Sequence, residues 1–173
     1  VLWEELKKAA AQRGLTVTDP NGKMEEVLFL VEWPKVIEGH FGAEHLSLPS
    51  EVLVTAMQSH QRYFPLVDDK GDLASTFLYV SNGDAEYAQQ ITAGNERVLE
   101  GRIEDAEFSF DKDKTTGLEQ MVRQLDKIVF HEKAGSMRDK SERLVALSGY
   151  LADRVGLDDA HRSKALEAAR LAK

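Results

Sequence analysis

The spacing of apolar positions changes several times along the chain, and each change predicts a different element. Leu2, Leu6 and Ala9, followed by Arg13 and stopped by Gly14, recur at helical spacing and predict an amphipathic helix. From Asn21 the period is lost in a continuous run, Val27-Leu28-Phe29-Leu30-Val31, bounded by Gly22 and Pro34. Such a run predicts a buried element without deciding between helix and strand. The residue before Pro34 is expected to be extended, with a short strand from Lys35 to Ile37 after it. Pro49 suits a first helical position and opens a predicted helix carrying Val52, Ala56, Ser59 and Tyr63. Tyr63–Val67 and Thr76–Ser81 are rich in aromatic and β-branched types and flank Asp68-Asp69-Lys70-Gly71-Asp72, the pattern of a hairpin with a glycine at positive φ. Phe77-Leu78-Tyr79-Val80 is apolar on both faces, which predicts a central strand in a sheet covered on both sides, ended by Asn82-Gly83-Asp84.

After Gly94 the pattern turns helical. Leu99, Ile103, Ala106 and Phe110 form one stripe, and Leu118, Met121, Val122, Leu125, Ile128 and Val129 a second. Thr116 with Glu119 reads as a capping box for the second helix, and Ser136 with Asp139 as one for a third that carries Leu144, Leu147, Leu151 and Val155 and stops at Gly156. Mixed elements followed by helices alone predict an α+β domain over residues 1–112 and the start of a helical domain over 113–173. A helical pattern directly behind Val1, and an uncapped end at Leu166, Ala169 and Lys173, lead us to expect a piece of a longer chain.

Composition narrows the class. In 173 residues, 42% are hydrophobic and 30% charged, with 12 Gly and 4 Pro, a balance that fits a folded chain rather than a disordered one. The absence of Cys removes disulfides and thiol chemistry and is compatible with the cytoplasm, the expected location. No apolar run approaches the roughly 18–20 residues needed to span a bilayer. The net charge of −8 is concentrated: residues 24–96 hold 3 Lys/Arg against 12 Asp/Glu, whereas residues 97–143 hold 10 against 11. An acidic middle repels phosphate, so nucleic-acid contact is expected only on the later helices or on another chain.

The five histidines, His40, His45, His60, His131 and His161, show no paired helical zinc spacing, and no metal site is expected. Gly39 and Gly42 lack the Lys-Ser/Thr of a phosphate loop, and no serine stands in a strand-turn-helix nucleophile context. No catalytic residue is therefore assigned. Two stretches stand out. Met57-Gln58-Ser59-His60-Gln61-Arg62-Tyr63-Phe64-Pro65 places polar groups beside two aromatics at a helix-to-strand junction, with His60, Gln61 and Tyr63 as candidate pocket-lining residues. The competing reading is a helix end where Tyr63 and Phe64 fill core and His60 satisfies a backbone carbonyl. Gly94-Asn95-Glu96-Arg97-Val98-Leu99, with Arg102 and Asp105 behind it, is the second; its competing reading is a solvated helix with Arg97–Glu100 and Arg102–Asp105 pairs.

In these blocks the sequence resembles the β subunit of bacterial glycyl-tRNA synthetase. Val31-Glu32-Trp33-Pro34, Met57 with His60 to Pro65, Val80-Ser81-Asn82, Gly94 to Leu99 with Arg102 and Asp105-Ala106-Glu107-Phe108, and Phe130 with Glu132-Lys133 and Gly135-Ser136 occur in family order. Ser109 and Ala134 depart from the pattern. The resemblance implies a subunit of an α2β2 ligase that charges glycine tRNA, with ATP and Mg used by the α subunit and no cofactor in this chain. It implies a domain similar to the B3/B4 domain of phenylalanyl-tRNA synthetase, then the first helices of an HD-like all-α domain. The expected role is structural and tRNA-facing, with Arg97, Arg102, Lys112, Arg123 and Lys127 as tRNA-binding candidates; Arg102 is expected to pair internally and Arg97 to be free. A hydrolytic editing domain is the alternative. Glycine has no smaller competitor for a size sieve to remove, which lowers the need for editing. An HD-type phosphohydrolase is weaker still, since no His is followed by Asp.

Overall fold

A computed structural model describes residues 1–173, the side chain of Ala85 excepted. It divides into two compact units, Val1–Phe110 and Asp111–Lys173.

In the first unit, helix α1 (Leu2–Ala11) leads through Gly14 at positive φ into the short strand β1 (Thr16–Val17). Helix α2 (Lys23–Leu30) and strand β2 (Lys35–His40) follow, then a 3-10 turn at Ala43–Ser47 and helix α3 (Ser50–Thr55). Helix α3 passes without a break into a π-helical turn, Ala56–His60. Strands β3 (Phe64–Val67) and β4 (Leu73–Ser81) form the expected hairpin, with Gly71 at φ 87° in its loop. Helix α4 (Ala88–Thr116) then begins. The four strands are antiparallel in the order β1-β3-β4-β2, so β4 is interior as its apolar run predicts.

Alternation along β4 divides the core. Phe77 and Tyr79 face one way, with Tyr63, Leu53 and Met57 and with Leu99 and Ile103 of α4. Leu78 faces the other way with Phe64 and Leu66, under Leu2, Leu6 and Ala10 of α1 and Val27 of α2. Tyr63 stacks on Phe77 at 4.7 Å between ring centroids. Gly39 is paired with Phe77, and a methyl group there would stand about 2.5 Å from the ring. The strand passes flat beneath the aromatic only because it lacks a side chain at that point.

Several expectations need correction. The run Val27–Val31 is not a buried element: it ends a helix of which Val27 is buried while Leu28, Phe29 and Leu30 are 49%, 81% and 59% exposed. An unbroken apolar run on a helix surface must put some of its members outward, because the core meets only one face. Tyr63 lies outside the helix that Pro49 precedes, since the π turn ends at His60 and Tyr63 turns into the sheet. Helix α4 begins at Ala88, and Gly94 sits inside it with nothing near its Cβ position.

The second unit contains α5 (Leu118–Val122), a 3-10 turn at Leu125–Lys127, strands β5 (Val129–His131) and β6 (Gly135–Ser136), and helices α6 (Met137–Val155) and α7 (Asp159–Leu171). The capping box at Ser136 and Asp139 is formed, and Gly156 ends α6 at φ 71°. The Thr116–Glu119 box is not. Thr116 is the last residue of α4 and donates its hydroxyl to the Lys112 carbonyl, and Gly117 stands at the start of α5. The second predicted helix is thereby reduced to one short turn, leaving Ile128 and Val129 in extended, exposed backbone. The stripe Leu147, Leu151, Val155 also faces outward, because α6 meets α7 through small residues: Gly149 lies against Leu166, and Ala152 is buried.

Candidate functional site

His60 of the first stretch and Arg102 and Asp105 of the second line one groove. It has a volume of about 520 Å³ and runs between α3 with its π turn and the middle of α4; Val52, Ala56 and Ala106 give it an apolar floor, and His60, Arg102 and Asp105 its polar rim. His60 is exposed and its ring makes no hydrogen bond among the described residues, so the backbone-carbonyl reading fails. Arg97 and Arg102 are both exposed, and neither forms an ion pair among the described residues. The expected internal pairing of Arg102 with Asp105 is absent, and that of Arg97 with Glu100 is pre-empted because Glu100 turns inward. Gln61 and Tyr63 line a separate hollow of about 100 Å³ with Val27 and Val80. Tyr63 is buried, and that burial, with Tyr79 beside it, pushes its phenol up to about 12.

What Glu100 turns toward is a site that no sequence motif announced. His45 is buried in the 3-10 turn, with Nε2 2.8 Å from Glu100 Oε1 and Nδ1 3.2 Å from Glu107 Oε2. One helical turn earlier, Glu96 accepts the backbone N–H of His40 at 2.8 Å. Three acids on one stripe of α4 thus hold the chain from His40 to His45. Burial of the ring opposes its charged form, but Glu100 and Glu107 outweigh it and raise the His45 pKa above 6.5. Both ring nitrogens face carboxylates, an arrangement met by the imidazolium, which donates from both. Glu44, His45 and Glu100 also bring ligand atoms within 4.8 Å of one another. A metal needs a ring nitrogen with a free lone pair, and here each is engaged with a carboxylate, so the cluster fits an ion-pair clamp better than a metal centre.

The π turn has a second consequence. It carries Gln58, fully buried, into contact with the loop before α2: Asn21 N–H donates to Gln58 Oε1 at 3.0 Å, and Gln58 Nε2 donates to Asp19 Oδ1 at 2.9 Å. Asp19 in turn accepts from Lys23 N and Met24 N at the first turn of α2. Four residues on, Arg62 adopts φ 57° and donates from Nε to Glu26 Oε1 at 2.6 Å, holding the Glu26 carboxyl below the usual range. A π turn and a non-glycine residue at positive φ in one seven-residue block are costly local choices. Their signal in the sequence was only the density of polar groups around His60. In a similar way Asn82 does more than end β4: its Oδ1 accepts from Glu32 N and Trp33 N, tying the Val31–Pro34 block to the strand.

In the second unit Lys112, Arg123 and Lys127 are all exposed. Arg123 and Lys127 border a wide hollow between α5 and the end of α7, while Lys112 lies outside it. Residues 1–110 hold 9 Lys/Arg against 19 Asp/Glu and residues 111–173 hold 13 against 11, so the first unit carries −10 and the second +2.

The family model described as glycyl-tRNA synthetase beta subunit matches residues 1–173. The glycine–tRNA ligase beta subunit of Desulforudis audaxviator is 44% identical over 173 residues, which is 100% of this chain and 25% of that protein. Its counterpart from Levilactobacillus brevis is 40% identical over 169 residues, 98% of this chain and 24% of that protein. That from Coxiella burnetii is 39% identical over 154 residues, 89% and 22%. The chain therefore spans about a quarter of the length of these relatives. With a family match along its whole length, and with the blocks around Trp33, His60, Asn82 and Arg97 joined into one framework, the chain belongs to the glycyl-tRNA synthetase beta subunit family.

Proposed function

We propose that this chain is a non-catalytic, structural and tRNA-facing part of the β subunit of a glycine–tRNA ligase, supporting ATP-dependent glycylation of tRNA-Gly by an α2β2 enzyme in the cytoplasm. In that assembly ATP and Mg belong to the α subunit. The observation that carries the tRNA-facing part is the pair Arg97 and Arg102, exposed on α4 and without carboxylate partners among the described residues, in an otherwise acidic unit. A guanidinium left unpaired keeps its planar donor fork for phosphate. The candidates Lys112, Arg123 and Lys127 extend the same basic character into the positive second unit.

A four-stranded antiparallel sheet covered on both faces supports a likeness of residues 1–112 to the B3/B4 domain of phenylalanyl-tRNA synthetase, and the helices of 113–173 support an HD-like opening. The test of the non-catalytic role is direct. The 173-residue chain alone should show no glycine-dependent pyrophosphate exchange, and exchange by the pure chain would overturn the reading.

The groove that joins His60 to Arg102 and Asp105 favours one second reading, a hydrolytic site acting on mischarged tRNA. Under our reading His60→Ala in the complete synthetase leaves mischarged-tRNA hydrolysis unchanged. Loss of such hydrolysis in that variant would replace it.

A further inference from the structure

We infer that the second unit carries a binding pocket for the phosphate of a nucleotide, built on one face of α6. Arg138, Ser141, Glu142 and Val145 fall at i, i+3, i+4 and i+7, so all four point to one side of that helix. They line a pocket of about 560 Å³, within the range of small-molecule sites, whose walls are Val122, Leu125 and Val145. Two of its polar atoms have no partner. Ser141 is 5% exposed and its Oγ makes no hydrogen bond, not even to the carbonyl one turn back; Arg138 Nε is likewise buried and unsatisfied. Buried polar groups are nearly always paired, and an orphan of this kind is completed by a water, an ion or a ligand atom.

The chemistry of the ligand follows from the donors. Arg138 gives Nη2 to the Arg123 carbonyl at 3.5 Å while its Nε–H stays unpartnered, and the unpartnered Ser141 hydroxyl lies one turn along the same face of the helix. A planar carboxylate takes two parallel bonds from one guanidinium, and here the Nη2 member of that fork is already engaged; a guanidinium N–H and a separate hydroxyl from two residues suit the several oxygens of a tetrahedral oxyanion better. The Arg170 guanidinium at the pocket wall is already forked onto Glu119, whereas Arg123 and Arg138 form no ion pair among the described residues. The apolar walls give a base or sugar a dry surface, and the unit around them is net positive. Among the described residues Glu142 is the one carboxylate lining the pocket without an ion pair, and it opposes the anion. This pocket is separate from the groove at His60 and does not rest on the tRNA-facing reading.

The test is calorimetric titration of the full chain with AMP, adenosine, inorganic phosphate and glutamate. AMP is expected to bind, inorganic phosphate more weakly, adenosine at least tenfold more weakly than AMP, and glutamate not at all. Ser141→Ala should weaken AMP at least fivefold while raising the thermal midpoint of the unliganded protein, because it deletes an unsatisfied buried hydroxyl. A purely structural serine would lower that midpoint. Glu142→Gln should tighten AMP, and this surface change leaves the fold intact whatever Ser141→Ala does. Competition by a tetranucleotide irrespective of a 5′ phosphate assigns the phosphate to an RNA strand; competition by mononucleotides alone assigns it to a free nucleotide. Failure of both AMP and phosphate to bind, glutamate binding as well as AMP, or affinities unmoved by both substitutions would overturn the proposal.

Discussion

His45 shows how much a single side chain can hold in place. Its two contacts join the turn after β2 to α4, and made together they need the ring charged, since a neutral imidazole donates from one nitrogen only. The folded pKa is raised above 6.5, so the stability this clamp contributes is fully present below that value and is lost as pH rises through the folded pKa. His45→Gln is accordingly expected to cost about 1–2 kcal/mol at pH 6 and clearly less at pH 9, measured by denaturant unfolding at both pH values. Equal losses at both would show the ring acting by shape alone. Arg62 is a second residue-scale test. At φ 57° a Cβ is strained, so Arg62→Gly should be less destabilising than Arg62→Ala by about 1 kcal/mol, although both lose the Glu26 contact. The sequence does not reveal either residue's part: His45 finds its acids 55 and 62 positions away, and nothing local marks Arg62 as left-handed.

Two boxes of similar sequence pattern behave oppositely, and the elements around them explain why. Ser136 precedes its helix, accepts from Asp139 N and donates its own backbone N–H to the Asp139 carboxylate, whereas Thr116 is still inside α4 when its supposed helix should begin. Ser136→Ala should therefore cost about 1 kcal/mol and Thr116→Ala close to nothing, read from the shift in unfolding midpoint of each variant. Equal effects would mean that α4 ends before Thr116. The hairpin, the interior position of β4 and the Ser136 cap were legible because each depends on residues close in sequence: alternation, a turn glycine, a capping pair. What was not legible depends on partners far away. The Leu147–Leu151–Val155 stripe has the period of a buried face, yet α7 packs on the small residues Gly149 and Ala152 instead. The groove at His60 was half legible. His60, Arg102 and Asp105 were singled out, but their meeting requires α4 to pass beside α3, which no period encodes.

At the scale of the whole molecule the charge is divided between the units, and exposed arginines on α4 stand where the acidic block ends. Arg97 and Arg102 are five residues apart, about 140° around an ideal helix, so they do not both address one phosphate. Neither forms an ion pair among the described residues, which makes each a separate candidate. The central claim, that this part of the β subunit faces tRNA, is tested most directly by the salt dependence of tRNA-Gly binding to the complete synthetase. We predict that Arg97→Ala or Arg102→Ala weakens binding and makes the slope of log K against log salt shallower by roughly one phosphate contact, with thermal stability unchanged. Affinity and slope equal to wild type in both variants would contradict the claim and remove α4 from the tRNA interface.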